Sequence, residues 1–185
     1  LVRIITITLC FLFNTAYDNN YGFTVSSGNV GGREDFFFIG NIAYNNNHGM
    51  TINGLNPPQP AQIVGNTIVN NSINGILNGY YNSKLNIVNN IISGSPTVID
   101  FGGGYNTGTL SDADNNLIYG FDDIIWDDVI YDTFDEFVEG TVECANCLNA
   151  DPEFVDADNN DFRLKATSPV IDTGAVNDVY QTFYD

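Results

Sequence analysis

The stretch NTAYDNNYGFTV, Asn14 to Val25, is written a second time as NIAYNNNHGMTI, Asn41 to Ile52. The copies share Asn, Ala, Tyr, a pair of Asn, Gly and Thr in register. A repeat of this kind constrains the fold more than any other feature, because each copy must bury its apolar face against the next. The same anchor returns as Asn66 in IVGNTIVNNSINGIL, Asn90 in IVNNIISG and Asn116 in DADNNLIYG. Successive anchors lie 27, 25, 24 and 26 residues apart.

Two residues before the anchor stand Leu12, Ile39, Val64 and Val88, with Asp114 breaking the rule; two after it stand Ala16, Ala43, Ile68, Ile92 and Ile118. On strand parity these positions share the anchor's face, so the Asn points inward at a turn between two short strands. The strands are β-branched and aromatic, broken by Gly, Asn and Ser, and no long helical stripe occurs. A repeat of two or three strands without a helix fits one coil of a parallel β-solenoid, with coils stacked at about 4.8 Å. Equivalent Asn side chains then form a ladder from coil to coil. A second column, Gly22, Gly49 and Gly75, opens the next strand, where glycine permits a positive φ.

Charge narrows the partners. Five Lys+Arg stand against 23 Asp+Glu, a net −18. Nucleic acid is excluded as a partner, since phosphate binding needs clustered cations, and an anionic membrane surface is disfavoured on the same ground. The opening run LVRIITITLCFLF is signal-like but too short to span a bilayer. It leads straight into Asn14 and reads as a strand, so the chain enters in mid-fold, as a fragment would. Cys144-x-x-Cys147 lacks a second metal-binding pair and does not open a helix, which leaves a local disulfide or two plain thiols.

The coils, together with the tail ADPEFVDADNNDFRLKATSPVIDTG (Ala150 to Gly174), resemble the right-handed parallel β-helix proteins of the pectate lyase-like superfamily. The tail carries their D-P-x-F-V-D, D-F-R-L and S-P-x-I-D-x-G elements at Asp151–Asp156, Asp161–Leu164 and Ser168–Gly174. The expected fold is all-β: a right-handed parallel β-helix of about five coils over residues 1–121, an acidic insertion over 122–149, and a C-terminal segment over 150–185 that caps the last coil. The resemblance implies a secreted protein with a polysaccharide partner, either a lyase or glycosidase or part of one. The alternative is a non-catalytic adhesin, spacer or carbohydrate-binding solenoid.

In such proteins the groove runs along one sheet and its loops. Here that sheet holds Phe23–Ser26, Met50–Asn53, Ile76–Asn78 and Ile99–Phe101. A lyase needs a base and a cation to neutralise the substrate carboxylate. Arg33 and Lys84 offer these, and His48 offers an imidazole whose ordinary pKa suits a base. A glycosidase needs paired carboxylates, for which Asp35 and Asp100 are the candidates. Tyr80, Tyr81 and Tyr105 offer rings to stack on sugars. Asp156, Asp158 and Asp161 offer hard oxygen ligands for Ca²⁺, or simply form an Asx-rich turn. The Asp122–Asp128 stretch is a second cation site or a solvated edge around Trp126. Otherwise no cofactor is expected.

Overall fold

The computed structural model describes residues 6–26, 33–53, 60–79, 84–101 and 112–176. Each coil contributes one strand to each of three parallel sheets. Sheet one stacks β1 (Thr6–Leu12), β4 (Arg33–Ile39), β7 (Ala61–Val64), β10 (Leu85–Val88) and β13 (Asp112–Asp114). Sheet two stacks β2 (Thr15–Tyr17), β5 (Ile42–Tyr44), β8 (Thr67–Val69), β11 (Ile91–Ser93) and β14 (Leu117–Tyr119). Sheet three stacks β3 (Tyr21–Ser26), β6 (His48–Asn53), β9 (Asn74–Asn78), β12 (Thr97–Asp100) and β15 (Asp123–Trp126), with β16 (Val129–Tyr131) added antiparallel. Over the described residues the protein is a parallel β-solenoid of about three turns, with five parallel strands stacked in each sheet and the three middle ones flanked on both sides.

The core is built from columns of aligned residues. Sheet one supplies Phe11, Phe38, Ile63, Ile87 and Ala113 in register. Sheet two supplies Ala16, Ala43, Ile68, Ile92 and Ile118. Sheet three supplies Phe23, Met50, Ile76 and Ile99. Sizes compensate in the first four rungs: Phe11 and Phe38 on sheet one share a rung with Ala16 and Ala43 on sheet two, and Ile63 and Ile87 with Ile68 and Ile92, whereas the last pairs Ala113 with Ile118. Such compensation favours even packing from rung to rung.

The anchor ladder forms as the sequence predicts. Asn41, Asn66, Asn90 and Asn116 are at most 1% exposed. The Oδ1 of Asn66 accepts from the backbone N–H of Asn41 at 2.9 Å and from its Nδ2 at 3.0 Å. Asn66 Nδ2 donates to the Phe38 carbonyl at 2.8 Å and to Asn90 Oδ1 at 2.9 Å. The same pattern runs from Asn14 to Asn116.

The parity argument for the ladder is incomplete in one detail. Sheet one buries the residue three before the anchor, at Phe38, Ile63 and Ile87, as well as the one two before it, at Ile39 and Val64, while Leu12 and Val88 are half-buried. The reason is the residue immediately before each anchor. Phe13, Gly40, Gly65, Asn89 and Asn115 all adopt the left-handed conformation, with φ between 53° and 65°. This conformation bends the chain and breaks the two-residue alternation. A second left-handed bend follows sheet two, at Asp18, Asn45, Asn70, Gly94 and Gly120. It turns a second ladder inward: Asn46 N and Nδ2 donate to Asn71 Oδ1 at 3.1 and 3.2 Å. In the next rung Ser95 takes this place, buried, and its shorter Oγ finds no partner among the described residues.

The glycine column differs from expectation as well. Gly22, Gly49 and Gly75 are not among the positive-φ glycines. They are required by close approach: a Cβ on Gly49 would lie 2.6 Å from the Gly75 carbonyl oxygen and 2.8 Å from Asn71 Nδ2.

Residues 122–149 close the end of the stack. After β16, the helix α1 (Phe134–Gly140) starts at Thr133, whose Oγ1 accepts from Glu136 N at 3.2 Å, and Asp135 and Glu136 sit in its first turn. Its Phe137 is fully buried against Trp126 and Tyr131. Cys144 and Cys147 form a disulfide. Asn116, the last rung of the ladder, donates its backbone N–H to Cys147 Sγ at 3.4 Å, and Leu148 pairs in parallel with Leu117. A sulfur thus stands where the next Asn oxygen would be. The tail folds into a hairpin of β17 (Phe154–Asp156) and β18 (Asp161–Leu164) and runs along the flank of the coils. There Phe162 packs on Tyr44, and Asn89 exchanges two hydrogen bonds with Ala175, each 2.8 Å. Capping contacts therefore come from the 122–149 segment, while the described contacts of the tail lie on the side. No helix among the described residues is long and apolar enough to cross a membrane.

Candidate functional site

The outer face of sheet three carries a polar row. Parallel register places Tyr21, His48, Asn74 and Thr97 side by side on four successive rungs. The Tyr21 and His48 rings stack with centroids 5.1 Å apart at 14°. His48 Nδ1 lies 2.7 Å from Asn74 Oδ1, and Asn74 Nδ2 donates to Asp100 Oδ2 at 3.1 Å. Two of the sequence candidates, His48 and Asp100, are thus joined through Asn74, the register mate of His48 on the next rung.

Proton positions follow from this chain of contacts. An ionised carboxylate only accepts hydrogen bonds, so the NH₂ group of Asn74 must face Asp100. Its carbonyl oxygen then faces His48, which makes Nδ1 the donor. In the neutral imidazole this leaves Nε2 with its lone pair. Asn74 itself is buried, whereas His48 is half-buried and Tyr21 is 45% exposed. The site is a partly open face whose histidine has one assigned tautomer, with a carboxylate behind it. Such an arrangement can receive a proton at Nε2, or accept a hydrogen bond there from a ligand hydroxyl.

The other candidates fall elsewhere. Arg33 opens β4 and Lys84 immediately precedes β10, both on sheet one, while Asp100 closes β12 on sheet three. All three flank the connections from sheet three to sheet one. Tyr80, Tyr81 and Tyr105 belong to those connections and lie outside the described residues, as do the side chains of Arg33 and Asp35. Lys84 contributes its backbone carbonyl, which accepts from Ala61 N at 2.8 Å. In the tail turn, Asp156 accepts from Asn159 Nδ2 at 2.8 Å. Asp161 accepts from Arg163 Nε at 2.8 Å, an exposed pairing that lowers the Asp161 pKa and raises that of Arg163. Asp158 lies in the short 3₁₀ turn between them. Among the described residues no group of three His, Cys, Asp or Glu is arranged to hold a metal ion. Asp122–Asp128 spans β15 and its turn, with Trp126 buried inside and Asp127 and Asp128 at the exposed bend.

Comparison with family models, curated proteins and solved structures gives no match for this chain.

Proposed function

We propose that this chain binds polysaccharide along the outer face of sheet three. The observation that carries the reading is the row Tyr21, His48 and Asn74, tied to Asp100, on successive rungs of one sheet. A solenoid repeats its chemistry at the rung spacing of about 4.8 Å, which suits a linear polymer better than a compact ligand. The aromatic and imidazole faces offer apolar surface to sugar rings, and the amide and carboxylate offer partners to hydroxyls. The groove expected along one sheet from the resemblance to pectate lyase-like β-helix proteins would lie on this same sheet, which supports the reading. With a net charge of −18, polyuronates are disfavoured and neutral or amino-sugar polymers favoured. The Cys144–Cys147 disulfide supports export, because such bonds persist in oxidising compartments.

The hydrogen-bond order supports a second reading. With Nδ1 donating to Asn74, His48 presents a basic Nε2, the group a lyase or hydrolase uses to accept a proton. Lys84 and Arg33, on the neighbouring connections, would then supply positive charge to the substrate.

Calorimetric titration against neutral, amino-sugar and uronate polymers, with and without Ca²⁺, tests binding. The expected result is binding of a neutral or amino-sugar polymer that falls at least tenfold in His48→Ala. Binding indifferent to His48→Ala and Asn74→Ala removes the site. Ultraviolet absorbance of unsaturated uronate and a reducing-end assay on the same panel test catalysis.

A further inference from the structure

A cavity lies on a different flank from the sheet-three row, between the corner where sheet one passes into sheet two and the tail that runs across it. Its volume is about 330 Å³, at the small end of ligand pockets, which run roughly 300–1,000 Å³. The walls include Asn115 from the coils, Asn146 and Leu148 from the closing segment, and Leu164 and Val170 from the tail. None of the lining residues carries a charge, in a chain with 23 acidic side chains.

The amides of the wall are already half engaged. Asn115 Nδ2 donates to the Thr173 carbonyl at 3.4 Å, and Asn146 Nδ2 donates to Asp114 Oδ2 at 2.7 Å. Both NH₂ groups therefore hold the frame, and both Oδ1 atoms are without a protein partner among the described residues. Asn89 is spent at both ends on Ala175 and fixes the tail as the outer wall. A charged ligand would meet no counter-charge in the lining. A wholly apolar ligand would strip water from two carbonyl oxygens and give nothing back. The complement is a small neutral molecule with hydroxyl donors on one side and C–H surface on another.

We infer that this cavity binds one ring of a neutral saccharide. Its hydroxyls donate to Asn115 Oδ1 and Asn146 Oδ1, and its C–H face lies on Leu148, Leu164 and Val170. The site does not depend on the sheet-three row and stands or falls separately from it.

Titration of the ¹⁵N-labelled chain with methyl glycosides of glucose, galactose and mannose tests the assignment. The expected result is saturable shifts at the side-chain amides of Asn115 and Asn146 and at the backbone of Leu148 and Thr173, for at least one glycoside. Val170→Phe fills the cavity and weakens that binding by about tenfold or more. Leu164→Phe serves the same purpose should the first variant melt early. Absence of shifts with every glycoside overturns the proposal, as do shifts confined to Tyr21, His48 and Asn74. Undiminished binding in a folded cavity-filled variant overturns it too.

Discussion

Replacing Asn66 by alanine tests the ladder where it is most deeply enclosed. Asn66 is 1% exposed, and its side chain satisfies neighbours on two rungs. Without it, the Asn41 backbone N–H loses its acceptor at 2.9 Å, Asn41 Nδ2 loses one at 3.0 Å, and the Phe38 carbonyl loses a donor at 2.8 Å. Asn41 Nδ2 keeps its bond to the Phe11 carbonyl at 2.8 Å, so two buried groups, the Asn41 N–H and the Phe38 carbonyl, are left unsatisfied; at about 1–3 kcal/mol each they put the loss at roughly 4 kcal/mol. That is a large share of a typical total of about 5–15 kcal/mol. The control lies one coil away. Asn47 also bonds along the stack, from Nδ2 to Asn20 Oδ1 at 2.8 Å, but on the exposed surface, so Asn47→Ala costs no more than about 1 kcal/mol. Asn66→Asp keeps the size and the acceptor but sets an oxygen against the Phe38 carbonyl and Asn90 Oδ1; it destabilises at least as much as alanine. Urea unfolding is the assay. With a slope of about 1–3 kcal/mol/M, Asn66→Ala lowers the midpoint by roughly 2 M at constant slope. Equal midpoints for Asn66→Ala and Asn47→Ala would refute the claim that buried amide satisfaction holds the coils together.

Other outcomes follow from single features. Gly49→Ala, whose Cβ would meet backbone at 2.6 Å, costs more by thermal unfolding than Gly40→Ala, which strains only a φ of 64° at about 1–2 kcal/mol; the reverse order would restore the positive-φ account of the glycine column. Burial raises the Glu143 carboxyl pKa, with Asp112, Asp127 and Asp114 adding to it and the Ala113 N–H opposing. The folded state therefore holds this proton more tightly than the unfolded one, and stability falls as pH rises from the ordinary carboxylate range through the raised value. Glu143→Gln consequently gains stability near neutrality, and melting curves across pH show the gain vanish in acid. Reduction of Cys144–Cys147, which closes a short loop, lowers stability by about 2 kcal/mol on the chain-entropy model, read as a midpoint shift in urea with and without reductant.

The solenoid was legible because the anchor Asn recurs with neighbours of fixed character. Asn41 and Ala43, for example, predict the inward ladder and the sheet-two core. Of the sheet-one core, the residue two before the anchor was legible, as at Ile39 and Val64, and the one three before it, as at Phe38 and Ile63, was missed. Strand parity cannot see that Gly40 or Asn89 turns the backbone left-handed before the anchor. The second ladder, Asn46 and Asn71, was hidden inside a run of asparagines whose members face opposite ways. Asn46 is buried, while Asn47 beside it is exposed. The capping role of 122–149 was obscured by its acidity, since its buried contacts rest on few residues, chiefly Phe137, Trp126 and Cys147. His48 and Asp100 stand 52 residues apart in sequence, and only the stacking of rungs, with Asn74 between, brings them into one chain of hydrogen bonds.

The most direct measurement is of the ladder amides themselves. Side-chain carboxamide protons of Asn41, Asn66, Asn90 and Asn116, observed by nuclear magnetic resonance, are expected to exchange slowly with solvent. They are also expected to show cross-relaxation in that order, each with the next, while those of Asn47 exchange fast. Fast exchange at Asn66 and Asn90, or no cross-relaxation between them, would contradict a solenoid held by an interior asparagine ladder.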